Sequence, residues 1–272
     1  MKIKAIILST LCWLFAAPVL FSQELPIVVV IASYNNEKWC ANNVSSVFNQ
    51  KYENYRVIYT DDASTDNTVN LVKNIVASYK QEQRCTLVEN KINKGSPLAN
   101  HYAMVHRCKD EEIIVALDGD DWLADQYVLQ KINKAYSNPN KEVWLTYGQF
   151  KLASNASVGW CTAMPKEVIE KNAFRSFEHI PSHLKSFKAG LFKAIKREDL
   201  FYNNDFFAMT GDMAMMLPMI EMAAERHYCF NEPLYVYNDM NPISEHFKSK
   251  SFQRQMDLFI RSKRPYARLV NL

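Results

Sequence analysis

Short apolar runs alternate with segments of helical spacing along the first half of the chain. The apolar runs cover residues 27–32, 55–60, 85–89 and 112–117. The helical segments cover residues 36–50, 68–79 and 97–106. Short runs rich in β-branched and aromatic residues are typical of strands that are buried on both faces. Their alternation with helices predicts an α/β fold with a doubly wound, mostly parallel sheet.

The pattern is less regular in the second half of the chain. It predicts, in order, a helix over residues 124–136, a strand over 143–147, a methionine-rich helix over 212–224, a strand over 234–237 and a helix over 249–263. No internal repeat or low-complexity linker separates the two halves. We therefore expect one domain over residues 24–272, with a regular half over 24–122 and an irregular half over 123–272.

The N-terminus has the pattern of a targeting segment. Lys2 and Lys4 precede an apolar run over residues 5–21, and three polar residues follow it. A basic start, a short apolar run and a polar exit are typical of a secretory signal peptide, and a run of this length is also at the lower limit of a membrane span. We predict a signal peptide or signal anchor over residues 1–23, and hence export or membrane association. The alternative is a buried helix in a cytoplasmic protein.

Composition and charge exclude several classes of function. The net charge of +3 is too small to favour nucleic acid, whose binding draws on clustered basic residues. Only six glycines occur, and neither GxGxxG nor GxxxxGK[ST] is present, which argues against a dinucleotide fold and a P-loop. The six cysteines are widely spaced and form no CxxC pair, so a zinc site is not expected.

Polar residues follow each predicted strand of the first half. They lie at residues 33–36, 61–66, 93–95 and 118–121. Because the carboxyl ends of parallel strands share one edge of the sheet, which is also where such sheets bind ligands, we expect the four clusters to converge there. Asp118 and Asp120 can together chelate a hard divalent cation such as Mn²⁺ or Mg²⁺, an ion that bridges phosphate oxygens. We predict Asp120 as a metal ligand and Asp118 as a contact to ribose or metal; the alternative is a solvated Asp-Gly turn.

Four segments resemble consecutive motifs of family 2 glycosyltransferases. They read IASYN at residues 31–35, QKY at 50–52, DDASTDNT at 61–68 and LDGDD at 117–121. They occur in the family's order and lie within residues 26–125. The resemblance implies a GT-A fold, inversion at the anomeric carbon, and Mn²⁺ or Mg²⁺ with a nucleoside-diphosphate sugar. It makes residues 24–122 a nucleotide-binding half and residues 123–272 an acceptor half, whose acceptor is a glycan, a lipid-linked glycan or a protein.

The resemblance also implies which residues hold the nucleotide. The family's base-binding positions correspond to Ala32, Tyr34 and Asp62, with Asp61 as a further partner. A carboxylate can accept the N3–H of uracil, which favours a UDP-sugar donor. Lys94 is a candidate contact to the diphosphate or the ribose, and its alternative is an ordinary surface lysine.

The catalytic base and a third metal ligand are implied in the same way. The family's base is the Asp of a Glu-Asp pair that opens a helix, and the matching place here is Asp212, preceded by Gly211 instead of Glu. The alternative for Asp212 is a helix cap. Many GT-A enzymes complete the metal site with a late histidine, for which His246 is the candidate. His179 and His183 are the other candidates, but they lie in an aromatic, basic region where contact with the acceptor is favoured.

Two other functions and one membrane contact stay open at this stage. A sugar nucleotidyltransferase also uses metal-binding carboxylates, but its glycine-rich loop after the first strand is missing from residues 33–38. A non-catalytic module that binds glycans or nucleotide sugars would explain the missing Glu before Asp212. The basic stretch over residues 248–268 predicts either an amphipathic helix on an anionic membrane or a helix packed on the domain.

Overall fold

A computed structural model describes residues 23–178, 181–243 and 250–272 of the chain. The strands are β1 (Ile27–Ser33), β2 (Tyr55–Asp61), β3 (Cys85–Glu89), β4 (Ile113–Asp118), β5 (Trp122–Leu123), β6 (Leu145–Leu152), β7 (Lys185–Lys188), β8 (Phe201–Tyr202), β9 (Asp205–Phe206) and β10 (His227–Tyr237). The helices are α1 (Cys40–Phe48), α2 (Thr68–Ser78), α3 (Pro97–Val105), α4 (Val128–Tyr136), α5 (Lys166–Glu170), α6 (Ala189–Lys193), α7 (Gly211–Ala223) and α8 (Lys250–Ser262). The predicted leader, His179 and His246 lie outside the described residues.

Eight of the strands form one mixed sheet in the order β3-β2-β1-β4-β7-β6-β10-β5. The strands β3, β2, β1 and β4 run parallel to one another, and β10 runs parallel to β6. The strand β7 is antiparallel to both of its neighbours, β4 and β6. The predicted doubly wound, mostly parallel sheet is therefore confirmed, with two antiparallel strands, β7 in its middle and the short β5 at its edge beside β10.

Helices cover both faces of this sheet because its central strands are apolar on both sides. In β1, Val28 and Val30 point into a core shared with α3, α6, α7 and α8. The alternate residues Ile27, Val29 and Ile31 point into a second core shared with α1, α2 and α4. The alternation follows from the two-residue repeat of a strand, so one apolar run supplies both cores.

The sequence pattern located the elements of the first half more accurately than those of the second. The first helix begins at Cys40 instead of at residue 36, because the backbone N–H of Asn36 donates to Thr68 Oγ1 and holds that residue in a loop. The strand expected over 143–147 lies at Leu145–Leu152, and the one expected over 234–237 is only the last part of β10. The strand β7 was not predicted.

The basic C-terminal helix α8 packs against the domain. Met256 and Ile260 are buried in the core beneath it. Arg261 donates to the carbonyl oxygens of Arg175 and Phe177, and Arg175 forms a buried ion pair with Glu221 of α7. These contacts agree with the packed alternative for this segment. No helix among the described residues is both long and apolar enough to cross a membrane.

Candidate active site

The polar clusters that follow the strands converge on one cleft of about 470 Å³. It lies where β1 and β4 end, and the start of α7 and the segment after β10 form its other walls. The predicted site residues that line it are Ala32, Tyr34, Asp62, Asp118, Asp120 and Asp212. The structure therefore brings residues from both halves of the chain into a single site.

Asp62 lines the cleft and also joins two of its loops. Its carboxylate accepts hydrogen bonds from Asn90 Nδ2 at 2.7 Å and from the backbone N–H of Lys94 at 3.0 Å. This contact draws the segment after β3 toward the end of β2. The side chain of Lys94 is exposed and does not line the cleft, so its predicted contact to diphosphate or ribose has no support from the geometry.

Asp61 lies next to the cleft without lining it. Its carboxylate is buried and accepts hydrogen bonds from Ser64 Oγ at 2.5 Å and from the Ser64 backbone N–H at 2.9 Å. Ser64 Oγ in turn accepts a hydrogen bond from the backbone N–H of Asn35 at 2.8 Å. Asp61 thus shapes the turn that places Asp62 and the loop of Tyr34, and the structure does not bring it into the lining of the cleft.

The acidic loop after β4 is fixed through its backbone. Asn43 of α1 donates from Nδ2 to the carbonyl oxygens of Asp118 and Asp121. Gly119 packs so closely that an added Cβ would come within 2.6 Å of Ser33 Cβ, so only glycine fits there. With the backbone held in this way, the side chains of Asp118 and Asp120 face the cleft.

The three carboxylates of this loop differ in how strongly the protein holds them, and Asp118 has a longer contact of 3.2 Å with Tyr235 Oη. Asp121 is buried and accepts hydrogen bonds from Tyr235 Oη at 2.5 Å and from the Asn238 backbone N–H at 2.6 Å. Asp120 accepts a hydrogen bond from Asn241 Nδ2 at 2.7 Å. Burial raises the pKa of Asp120, and the negative charge of Asp118 raises it further. Asp121 therefore has a structural role, whereas Asp118 and Asp120 are available to a ligand.

This concentration of negative charge fits a bound divalent cation. Carboxylates that repel one another in a partly desolvated site are stabilised by a hard metal ion. Within the described ranges, no three His, Cys, Asp or Glu side chains are grouped closely enough to hold a metal by themselves. A hard cation at Asp120 and Asp118 would therefore take further oxygens from phosphate and water. The predicted ligand His246 lies outside the described residues.

Asp212 lies in the first turn of α7, where Lys185 of β7 forms a hydrogen bond with its carboxylate and His183 lies nearby. Lys185 Nζ donates to Asp212 Oδ1 at 2.6 Å, and His183 Nε2 lies 3.8 Å from Oδ2. Partial burial by itself would raise the pKa of Asp212, but the adjacent ammonium group of Lys185 outweighs it and holds the pKa well below its ordinary value. The N-cap position of the helix belongs to Thr210, so the cap alternative is not observed for Asp212. The carboxylate is ionised at neutral pH.

Two residues at this site, Lys185 and His101, were not predicted from the sequence, and a third, His183, was only a further candidate for contact with the metal or the acceptor. Lys185 is fully buried, and His183 stacks on Tyr235 with a ring-centroid distance of 4.5 Å. His101 of α3 is also buried and lines the cleft, and its Nε2 has no hydrogen-bond partner in the parts of the chain that are described. No sequence signal distinguishes Lys185, because Lys188 follows it in the same short strand. The sequence around His101 offers no signal for its role either.

Comparison with known proteins places the chain in a family. The model of the family "Glycosyl transferase family 2" matches residues 28–200. A putative glycosyltransferase from Bacillus subtilis, EpsE, is 36% identical over 93 residues, which are 34% of this chain and 32% of that protein. The Escherichia coli protein WfgD, named as a UDP-Glc:α-D-GlcNAc-diphosphoundecaprenol β-1,3-glucosyltransferase, is 28% identical over 141 residues, 52% of this chain and 51% of that protein. The matched region thus spans between a third and half of these relatives.

Solved structures show the same fold. Staphylococcus aureus TarS in complex with UDP-GlcNAc has a TM-score of 0.59 and 17% identity, over 83% of this chain and 61% of that one. The mannosyltransferase PcManGT from Pyrobaculum calidifontis, in complex with GDP-Man and Mn²⁺, has a TM-score of 0.57 and 18% identity, over 88% and 64% of the two chains. At such identities the likeness establishes the GT-A fold alone. Because the family match covers more than half of its residues, the chain belongs to glycosyltransferase family 2.

Proposed function

We propose that the protein is an inverting, metal-dependent glycosyltransferase that moves a hexose or an N-acetylhexosamine from a UDP-sugar to an acceptor hydroxyl in glycan synthesis. The observation that carries the proposal is that Asp118, Asp120 and Asp212 line the same cleft, although about 90 residues separate the first two from the third. The name of WfgD, which mentions UDP-Glc, and the complex of TarS with UDP-GlcNAc support a UDP-sugar donor. The acceptor is proposed to be a lipid-linked glycan, as in the name of WfgD.

The donor would occupy the part of the cleft formed by the ends of β1, β2 and β4. Ala32 and Tyr34 lie beside Asp62, which can accept the N3–H of uracil although it already accepts hydrogen bonds from the protein. Asp118 and Asp120 would face the ribose and the diphosphate. Mn²⁺ or Mg²⁺, held by Asp120 and proposed also to be held by His246, would neutralise the charge that develops on the departing UDP.

Asp212 would act on the acceptor. An ionised carboxylate can take the proton of the acceptor hydroxyl while the oxygen of that hydroxyl attacks the anomeric carbon. The attack comes from the side opposite UDP, which gives inversion. Asp212 is ionised at neutral pH, and 41% of its side chain is exposed, so an acceptor can reach it. Its low pKa makes it a weak base, and proton removal is therefore expected to accompany bond formation.

The cellular location is also a proposal. Residues 5–21 would direct export or anchor the chain in a membrane, and the basic residues of the C-terminal segment would add contact with an anionic surface. Phe252 and Phe259 of the packed helix α8 contact Tyr202 but stay 37% and 39% exposed, and this remaining apolar surface supports the second contact. A cytoplasmic location is the alternative.

The test is acceptor-dependent release of UDP from a panel of UDP-sugars with Mn²⁺. Asp212→Asn should bind UDP with unchanged affinity and lose turnover by ~10²–10⁴, the usual contribution of a general base. Asp205→Asn, at an exposed carboxylate in the β8–β9 hairpin, is the matched control and should keep wild-type turnover. Binding of UDP without turnover of any donor would favour the non-catalytic module, and release of pyrophosphate from a nucleoside triphosphate and a sugar phosphate would favour the nucleotidyltransferase.

A further inference from the structure

Lys185 is a lysine with no exposed surface in the middle of the sheet. It opens β7, between β4 and β6, and its side chain is 0% exposed. A buried ammonium group is stable only when it is paired, because burial removes its hydration. The partners of the Lys185 ammonium group therefore indicate its role.

The partners of Lys185 are two carboxylates that line the cleft. Its Nζ donates to Asp212 Oδ1 at 2.6 Å and lies 3.7 Å from Asp118 Oδ2. The first distance is that of a charge-assisted hydrogen bond, and the second is an ion pair without one. Asp118 belongs to the loop proposed to contact the donor, and Asp212 is the proposed base. Lys185 thus lies between the donor side and the acceptor side of the cleft.

The register of β7 fixes this placement. Lys185 pairs with Ala116 of β4, two residues before Asp118, so its side chain starts near the carboxyl end of that strand. Lys188, at the other end of β7, pairs with Ile113 at the start of β4 and lies away from the cleft. Two lysines on one short strand therefore have different surroundings, and Lys188 is a natural control.

We propose that Lys185 is a positioning residue for sugar transfer, which holds the Asp212 carboxylate at the orientation and distance from the Asp118 loop that the acceptor hydroxyl requires. The proposal rests on the proposed function. Lys185 is buried behind both carboxylates and does not line the cleft, so it acts through Asp212 instead of on the substrate.

The physical reason is the freedom that Asp212 would otherwise have. Its side chain is 41% exposed, and His183, at 3.8 Å, is too far away to form a hydrogen bond with it. Without the ammonium group, the negative charge of Asp118 would repel the Asp212 carboxylate and favour rotamers that point away from the donor. A displacement of about 1 Å at a reacting group can reduce turnover by ~10²-fold.

The experiment is a double-mutant cycle with Lys185→Met and Asp212→Asn. Lys185→Met should lower kcat by ~10²-fold, as expected for a misplaced base, and leave the donor KM and the affinity for UDP within about threefold. Lys185→Arg should have a kcat at least about tenfold higher than that of Lys185→Met, since it restores a charged donor. In the Asp212→Asn background, Lys185→Met should cause no further loss, because a residue that acts through Asp212 has nothing left to position. Lys188→Met should keep wild-type turnover.

Several outcomes would overturn the proposal. One is a Lys185→Met loss that is fully retained in the Asp212→Asn background, and another is a loss that appears mainly as weaker UDP binding. Wild-type kcat in Lys185→Met would do the same. If Lys185→Met alone does not fold, as judged by circular dichroism, two comparisons remain. Lys185→Arg is compared with the wild type, and the double variant, which has no unpaired buried charge, is compared with Asp212→Asn. A wild-type protein that turns over no donor would instead contradict the proposed function itself.

Discussion

The buried side chain of Asn43 donates a hydrogen bond of 2.7 Å to the backbone carbonyl oxygen of Asp121. The same Nδ2 donates to the carbonyl oxygen of Asp118 at 2.8 Å. One amide on α1 thus spans the acidic loop and fixes both of its ends. The positions of the Asp118 and Asp120 carboxylates therefore depend on a residue that does not line the cleft.

Replacing Asn43 by leucine should weaken both the fold and the site. The change removes both hydrogen bonds. The carbonyl oxygen of Asp118 keeps the backbone N–H of Asp121 at 3.1 Å, but the carbonyl oxygen of Asp121 loses its donor, and an unsatisfied buried polar group costs about 1–3 kcal/mol. We expect the free energy of unfolding to fall by about 2 kcal/mol and turnover to fall with it. Urea denaturation measures the first and UDP release the second. Asn42→Leu, on the exposed face of the same helix, is the control, and equal stability of the two variants would show that these hydrogen bonds contribute nothing.

Asp120→Asn should separate metal binding from folding. If Asp120 holds the metal, the variant should lose turnover and bind UDP no better with Mn²⁺ than without it. Burial and the charge of Asp118 raise the pKa of Asp120, so its ionised form is unfavourable in the metal-free protein. In chelator, thermal unfolding of Asp120→Asn should therefore occur at the same temperature as in the wild type or higher.

The control for this prediction is an acidic residue outside the cleft. Asp110→Asn changes an exposed carboxylate that pairs with Lys193, and it should keep metal-dependent UDP binding. Two results would exclude Asp120 as a ligand. The first is full activity of Asp120→Asn, and the second is full wild-type activity in excess chelator.

The convergence of the polar clusters was predictable because it depends only on local patterns. Apolar runs and helices identify parallel strands, and parallel strands bring their carboxyl ends to one edge. Ala32, Tyr34, Asp62, Asp118 and Asp120 line the cleft for that reason. Asp61 was predicted to bind the nucleotide as well, but its carboxylate instead accepts hydrogen bonds from Ser64. A pair of adjacent aspartates in a sequence does not reveal which one faces a ligand.

The strand β7 and its buried lysine were not predictable in the same way. A strand with lysine at both ends has the composition of a surface segment, and it becomes buried only because it inserts between β4 and β6. Lys185 is tolerated there because it pairs with Asp212, which is 27 residues away in the sequence. Such pairing depends on the tertiary fold, and no local periodicity in the sequence indicates it. The full length of β10 was missed for a related reason, since its register shifts on both sides of Pro233 interrupt the pattern.

Removing residues 1–23 should leave a soluble, folded protein. The first described contacts begin at Glu24, whose carboxylate accepts hydrogen bonds from the backbone N–H groups of Glu53 and Asn54. The backbone N–H of Leu25 donates to Asn133 Oδ1. Circular dichroism and gel filtration of the truncated protein test this expectation. A truncation of residues 1–26 is the sharper comparison, because it also removes these contacts and should be less stable. An aggregated product from the shorter truncation would show that the leader belongs to the core.

His183 should make stability depend on pH over a defined range. The ring is buried, stacks on Tyr235 and faces Asp212 and Lys185. Burial, followed by the charge of Lys185, lowers the pKa of His183 from 6.5 to about 4. Between these two values the unfolded chain binds a proton that the folded protein does not. The free energy of unfolding therefore decreases as the pH falls from 6.5 to about 4.

His183→Phe keeps a ring in the stack and removes the titration. Its free energy of unfolding, measured in urea at several pH values from 7 to about 4, should fall less steeply with acid than that of the wild type. The free energy of unfolding of His183→Phe will still depend on pH, because His101 and His227 are also buried and have lowered pKa values. His106→Phe, which removes an exposed histidine, should keep the wild-type slope. If His183→Phe and the wild type give parallel curves, then the His183 ring takes up a proton as readily in the folded protein as in the unfolded chain.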